Sequence, residues 1–166
     1  MRIGIDDTDS PEGMCTTYLG ANLAGALSRE GFTIQRALLV RLNPNVPHKT
    51  RGNASICLEV EGDMNQAYRI GCEYINRLAD LSFHETQPGL VICDGQPDPS
   101  FYQRAVRDFC TLEEAVGILG KEGALFRGWN GGRGLIGATA AVCAEFPDAT
   151  YELLAYRHHT VRETRS

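Results

Sequence analysis

The sequence predicts an α/β (α+β) fold with mixed sheets, because period-two and helix-period apolar patterns alternate irregularly along the chain. The clearest strand signals are Arg2–Ile5 and the wholly apolar run Gly89–Cys93, and the clearest helix signal is the stripe Leu19, Leu23, Leu27. With 166 residues, 43% hydrophobic and 22% charged, the chain can bury a real core. It reads as one compact unit, or as two intimately joined subdomains, with no linker, repeat or low-complexity segment between them.

The elements follow in order. Arg2–Ile5 alternates and gives a first strand. From Thr16 to Arg29 the leucines recur every four residues among alanines, as on an amphipathic helix, and Gly31 stands where a left-handed cap belongs. Thr33–Leu42 is aliphatic and alternating, hence a strand. The segment 43–53 holds two prolines and a glycine and cannot be regular. Ala54–Glu61 is the next strand, with Ile56, Leu58 and Val60 on one face. A helix is expected over Met64–Leu81, a short buried strand over Gly89–Cys93, and two helices over Pro99–Phe109 and Thr111–Lys121. In the second of these, Glu113 and Glu114 suit the first-turn dipole. Ala124–Trp129 then reads as a strand, Arg133–Phe146 as an alanine-rich helix, and Tyr151–Arg157 as a closing strand.

Several classes are excluded by composition. No apolar stretch approaches the roughly 20 residues of a membrane span, and the N-terminus lacks a signal-peptide layout, so no membrane partner and a cytoplasmic setting are expected. The six cysteines are scattered with no CxxC pair, so they read as buried, reduced thiols rather than a zinc knuckle. His158-His159 reads as an exposed pair. Net charge is −5, yet from Gly31 to Leu58 there is no Asp or Glu, while Arg36, Arg41, Lys49 and Arg51 all fall there. A second acid-free stretch, Ala124–Ala144, carries Arg127 and Arg133. Basic segments beside an acidic cluster let a polyanion dock close to a metal.

That acidic cluster is Asp6, Asp7 and Asp9, three carboxylates within four residues at the end of the first strand. Crowded like charges need a cation or a basic shell. Hard oxygen donors next to Thr8 and Ser10 suit Mg²⁺, which binds one or two carboxylates together with phosphate oxygens. The helix opening at Thr16 and Thr17 would offer its N-terminus to a phosphate. A solvated acidic turn with an Asp N-cap is the other reading of these carboxylates, and a plain N-cap is the other reading of Thr16. The loop 43–53 is the second candidate: Lys49 offers a point charge and Arg51 a planar fork, held on a proline-stiffened loop with Asn53. An ordinary hairpin loop is its alternative. The third candidate is the run Gly132, Arg133, Gly134 through Gly137, formally GxGxxG. Only 29 residues follow it, too few for a Rossmann fold, and no P-loop motif occurs. Its glycines would let backbone approach a phosphate, or would serve close helix–strand packing.

Taken together, the blocks Gly4–Ser10, Gly13–Leu19, Arg41–Asn53, Gly132–Ala138 and Glu152–Arg157 resemble the N-terminal half of the archaeal isoleucine-tRNA agmatidine synthetases (the TiaS family), over nearly the whole chain. The resemblance implies an unusual kinase-like module with a ferredoxin-like region. It implies a Mg²⁺- and ATP-dependent phosphotransferase/ligase activity on the wobble cytidine of a tRNA, followed by coupling of agmatine. Carried over by position, Asp6, Asp7 and Asp9 would hold Mg²⁺ and orient the phosphates. Thr16 would match an autophosphorylated threonine and Thr17 its neighbour. Lys49, Arg51 and Asn53 would steady the phosphates, and Gly132, Arg133, Gly134 and Gly137 would border the nucleotide. The family's OB-fold and zinc-ribbon domains have no counterpart in these residues, so tRNA is expected to be held with a separate RNA-binding chain. A non-catalytic ATP- or RNA-binding paralogue and a small-molecule kinase are the alternatives.

Overall fold

The structure, a computed structural model, describes residues 1–47 and 52–146 together with the backbone of 152–153. Its elements run β1 (Arg2–Asp6), α1 (Thr16–Arg29), β2 (Thr33–Arg41), β3 (Ala54–Glu61), α2 (Met64–Leu78), β4 (Gly89–Cys93), α3 (Ser100–Ala105), α4 (Leu112–Lys121), β5 (Leu125–Gly128), α5 (Gly134–Cys143) and β6 (Glu152–Leu153). The strands form one sheet in the order β5-β4-β1-β3-β2-β6. Every described pair is antiparallel, where the sequence led us to expect mixed sheets. The α+β class holds. The first six elements, with β4-β1-β3-β2 side by side, make the split βαββαβ arrangement of ferredoxin-like folds.

Period-two alternation divides the core between the two faces of the sheet. Ile3 and Ile5 of β1, Ile56 and Leu58 of β3, and Leu90 and Ile92 of β4 bury against Leu19, Leu23 and Leu27 of α1 and Ala67 and Ile75 of α2. On the other face Cys57, Val91 and Cys93 meet Ala138, Ala141 and Val142 of α5, which α3 and α4 cover through Phe101, Ala115 and Leu119. Central strands covered on both faces explain why β4 is apolar at every position. Helix α5 is apolar almost all round for the same reason, since it lies between the sheet and two further helices. It lies close to β1 because Gly4 has no side chain: a Cβ there would collide with the carbonyl oxygen of Ala138.

Among the described residues three boundaries differ from the sequence reading by more than one residue. Helix α3 stops at Ala105 instead of Phe109, because the carbonyls of Ala105 and Asp108 turn to accept from the backbone and side chain of Asn43, at 3.0 and 3.3 Å. Helix α5 stops at Cys143, and Arg2 donates to the carbonyls of Val142 and Ala144 at 3.0 and 2.6 Å. A guanidinium there satisfies end carbonyls and suits the negative end of the helix dipole. Helix α2 ends at Leu78, where Ala79 turns extended. The expected closing strand pairs with β2 over Glu152–Leu153, and its remainder, with His158-His159, lies outside the described residues. All six cysteines are free, but only Cys57, Cys93 and Cys143 are buried as expected; Cys15, Cys72 and Cys110 are partly exposed. Burial pushes the thiols of Cys57, Cys93 and Cys143 up to about 12, 11 and 12, so they stay protonated and inert. Among the described residues no helix is long and apolar enough to cross a membrane.

Candidate functional site

The C-terminal end of β1 opens into a cavity of about 270 Å³. One wall is the acidic loop with Asp6, Asp7 and Asp9, and another is the start of α5 with Arg133, Gly134, Ile136 and Gly137. Leu42, Val46, Pro47 and Asn53 come from the β2–β3 connection, and Asp108, Phe109 and Cys110 from the turn between α3 and α4. Phe109 is 63% exposed, an unusual state for a large apolar side chain and one that leaves a ring face open beside the cavity.

The acidic loop is fixed from behind by hydroxyl groups. Thr8 is fully buried, and its backbone N–H and hydroxyl both donate to Thr16 Oγ1, at 3.3 and 3.0 Å. Thr86 Oγ1 donates to the Asp9 carbonyl at 3.0 Å, while Ser10 and Gly13 exchange two backbone bonds. Asp7 adopts a left-handed backbone, φ 58°, tolerated by a short polar side chain. Arg133 holds it there: Nε lies 2.8 Å and Nη2 2.7 Å from Asp7 Oδ2, and Nη2 also donates to the Glu85 carbonyl at 2.8 Å.

Asp6 is different. Its carboxyl is held well above the usual carboxylate range by burial first, then by the charges of Asp7 and Asp9, with a backbone hydrogen bond and Arg133 opposing. A group in that state welcomes a cation. Mg²⁺ passes the test of donor chemistry only in one form. Among the described residues no three His, Cys, Asp or Glu side chains are grouped to hold a metal unaided. Asp7, moreover, is already paired with Arg133. Asp6 and Asp9 are hard donors suited to an ion that brings its remaining oxygens with it, as Mg²⁺ on a phosphate does.

The glycine turn has a role other than a bare phosphate cradle. The backbone N–H groups of Gly134, Leu135 and Ile136 donate to the carbonyls of Gln87, Gly132 and Arg133, at 2.9, 3.0 and 3.0 Å. A Cβ on Gly134 would sit 2.5 Å from Gly89 N and 2.7 Å from Asp6 O, and one on Gly137 would fall on Asp6 Oδ2. These glycines let α5 press against the ends of β1 and β4, which places the helix start beside Asp6. Gly132 has φ +69° and forms the preceding turn, away from the cavity lining. Thr16 and Thr17 also lie outside the lining. Thr16 is buried, and with Cys15 as the N-cap residue of α1 it provides no side-chain cap. The Thr17 hydroxyl meets Cys15 Sγ at 2.9 Å. Asn53 lines the cavity while its side-chain amide donates to the Asn43 carbonyl at 2.8 Å. Lys49 and Arg51 lie outside the described residues.

Two asparagines that the sequence reading passed over organise the walls. Buried Asn43 joins the β2–β3 connection to the α3–α4 turn. Asn130, at φ 56°, donates to the carbonyls of Leu81 and Thr86 at 3.2 and 2.8 Å, tying the turn before α5 to the segment before β4.

Comparison with known proteins finds family matches in two separate segments of the chain. Residues 2–72 match the TiaS TCKD domain and residues 132–166 the TiaS FLD domain. The isoleucine-tRNA 2-agmatinylcytidine synthetase TiaS of Methanocorpusculum labreanum is 54% identical over 165 residues, covering 99% of this chain and 40% of that protein. The chain belongs to the TiaS family. The TiaS of Pyrococcus horikoshii is 42% identical, over 98% of this chain and 40% of that protein. Two solved structures, one of TiaS with its isoleucine tRNA, AMPCPP and agmatine and one of TiaS with that tRNA and ATP, superpose with TM-scores of 0.82 and 0.81. They are 36% and 38% identical, and each covers 89% of this chain but 37% and 36% of its own. The chain thus spans about 40% of the length of the TiaS relatives it matches. Its cavity draws Asp6, Asp7 and Asp9 from the first TiaS segment, Arg133, Gly134 and Gly137 from the second, and Asp108, Phe109 and Cys110 from the residues between them.

Proposed function

We propose that the cavity binds ATP together with Mg²⁺, and that the protein carries the phosphotransfer part of a wobble-cytidine modification of isoleucine tRNA that ends in coupling of agmatine. The observation that carries this reading is the pairing, in one cavity, of Asp6, Asp7 and Asp9 with an apolar shelf of Leu42, Val46, Ile136 and Phe109. A nucleotide can lay its base on such a shelf, but its phosphates cannot approach three carboxylates unless a cation comes with them. Asp6 and Asp9 would hold Mg²⁺, which would neutralise phosphate charge during transfer. Arg133, already locked by Asp7 and the Glu85 carbonyl, presents a fixed positive charge beside them. Lys49, Arg51 and Asn53 belong to the connection that forms the opposite wall, and the two basic residues would meet the outer phosphates. Positioning and charge neutralisation supply most of the catalysis in phosphoryl transfer. The names of the relatives, and the tRNA, ATP and agmatine named in the related complexes, support the same substrates here.

Calorimetry with a non-hydrolysable ATP analogue tests the site. Binding should require Mg²⁺, and Asp6→Asn or Asp9→Asn should weaken it at least tenfold. Equal affinity with and without Mg²⁺, unchanged in both variants, would overturn the assignment.

A further inference from the structure

A shallow groove lies on the other side of the sheet from α5, between the outer face of α2 and the edge strand β5. Tyr68, Arg69, Asn76 and Arg77 of α2 and Arg127 of β5 line it. Arg2, Arg36, Arg104 and Arg133 each pair with a carboxylate elsewhere in the molecule. None of the three groove arginines does so among the described residues, although Glu73 shares the groove. In a chain of net charge −5, three cations without carboxylate partners thus lie together along one groove.

The arginines are also arranged. The Arg127 guanidinium lies 4.9 Å from the centroid of the Trp129 ring, and that ring is anchored by a 2.8 Å bond from its Nε1 to Asn76 Oδ1. Arg77 stacks on Tyr74 at 4.2 Å, and Arg29 donates to the Tyr74 hydroxyl at 3.2 Å. The Tyr74 phenol is drawn below its usual range, first by Arg77 and then by Arg29. Stacking leaves the edges of a guanidinium, with their N–H donors, directed outward in a fixed plane.

We infer that this groove is a docking surface for the phosphodiester backbone of RNA, separate from the ATP cavity. Planar forks set on aromatic rings suit successive phosphates, and the adjoining tyrosines offer contact to sugars or bases. The inference rests on the tRNA-directed reading above, and it adds where the backbone of that RNA would be gripped. An acidic protein partner would need the same charge but would gain little from the aromatic setting.

The test measures binding of a tRNA transcript to the intact protein as salt is varied, for the native sequence, for Arg69→Gln/Arg77→Gln, and for the triple variant adding Arg127→Gln. The double variant changes only exposed positions on α2 and keeps the packing of Trp129. Each lost phosphate contact should reduce the slope of log K against log salt by about 0.9, so the triple variant should lose roughly two to three units of slope. Affinity at low salt should fall at least tenfold, with Mg-ATP affinity of the cavity unchanged. Unchanged affinity and slope in both variants would overturn the proposal. So would competition by polyglutamate as effective as that by RNA of equal charge, which would assign the groove to an acidic protein. If the cavity fails to bind ATP but the groove variants lose RNA, the cavity assignment fails and the groove stands.

Discussion

Arg133 reaches Asp7 Oδ2 with two nitrogens, at 2.8 and 2.7 Å, joining the residue that opens α5 to the acidic loop 126 positions earlier. This pair fixes the spacing between the two halves of the cavity, and it holds Asp7 in its left-handed backbone. Replacing Arg133 by Met removes the partner of a half-buried carboxylate and should cost about 1–3 kcal/mol of stability. Arg133→Lys keeps the charge but cannot reach Asp7 and the Glu85 carbonyl with the same fork, so it should recover stability only in part. Thermal denaturation of the two variants, with Asp7→Asn to complete a double-mutant cycle, gives the coupling. Additive effects of Arg133→Met and Asp7→Asn would show that the contact couples nothing.

The acidic loop stood out in the sequence because carboxylates crowded at a strand end must be neutralised somehow, and Arg133 does part of this at Asp7. Strands β3 and β4 were legible to the residue because their side chains answer to local alternation and burial. What the sequence concealed depends on distant backbone. Asn43 and Asn130 look like ordinary loop residues, and their importance lies in carbonyls 44 to 65 positions away. Asp108 and Phe109 read as the end of a helix and Cys110 as the break before the next, and they become a cavity wall only because Asn43 draws α3 to an early close. The glycines of residues 132–137 were ambiguous between ligand approach and packing, since a missing Cβ does not say what occupies its place.

Gly137 gives a prediction of its own. A Cβ there falls on Asp6 Oδ2, a side-chain atom that can swing aside, whereas one on Gly134 meets backbone of Gly89 and Asp6 that cannot. Gly137→Ala should therefore fold with a modest loss, yet bind Mg-ATP at least tenfold more weakly because Asp6 is displaced. Gly134→Ala should lose about 1–3 kcal/mol through overpacking. Denaturant titration alongside calorimetry separates the two effects, and equal nucleotide affinity in Gly137→Ala would contradict the placement of Asp6.

Thr16 is buried, and its hydroxyl accepts from both the backbone N–H and the hydroxyl of Thr8. Thr16→Ala strands those donors and should cost about 1–3 kcal/mol, while Thr16→Ser keeps the acceptor and should be nearly neutral. A role as a simple helix cap would predict a smaller loss, about 1 kcal/mol. Attaching a phosphate to Thr16 requires the Thr8 contact to open, so mapping of label from γ-labelled ATP should give more label on Thr16 in Thr8→Ala than in the native protein.

Asn43 makes a comparable case on the opposite wall, where its backbone and side chain bond Ala105, Asp108, Asn45 and Asn53. Asn43→Ala removes the two side-chain bonds and leaves the Asp108 carbonyl and the Asn45 N–H without their partner. The loss should be about 1–3 kcal/mol, with faster hydrogen exchange confined to the β2–β3 connection and residues 105–110. Exchange unchanged in residues 105–110 would show that the two segments are not held together through this side chain.

Asp6 supplies the pH dependence. Its folded carboxyl is raised above the ordinary 3.8, so the folded state holds a proton that the unfolded chain releases. Stability from this group is fully present below 3.8 and is lost as pH rises through the raised folded value. In the metal-free protein at neutral pH, Asp6→Asn should therefore be more stable than the native sequence, because an amide avoids burying charge beside Asp7 and Asp9. The advantage should shrink as pH falls toward 3.8, where the native carboxyl is itself neutral. Adding Mg-ATP should reverse the order at neutral pH, since only the native carboxylate gains the cation. Melting temperatures from mildly acidic to neutral pH, with and without Mg-ATP, test both parts. A metal-free variant that melts below the native protein at neutral pH would show that Asp6 is stabilised as a carboxylate by contacts other than a bound cation.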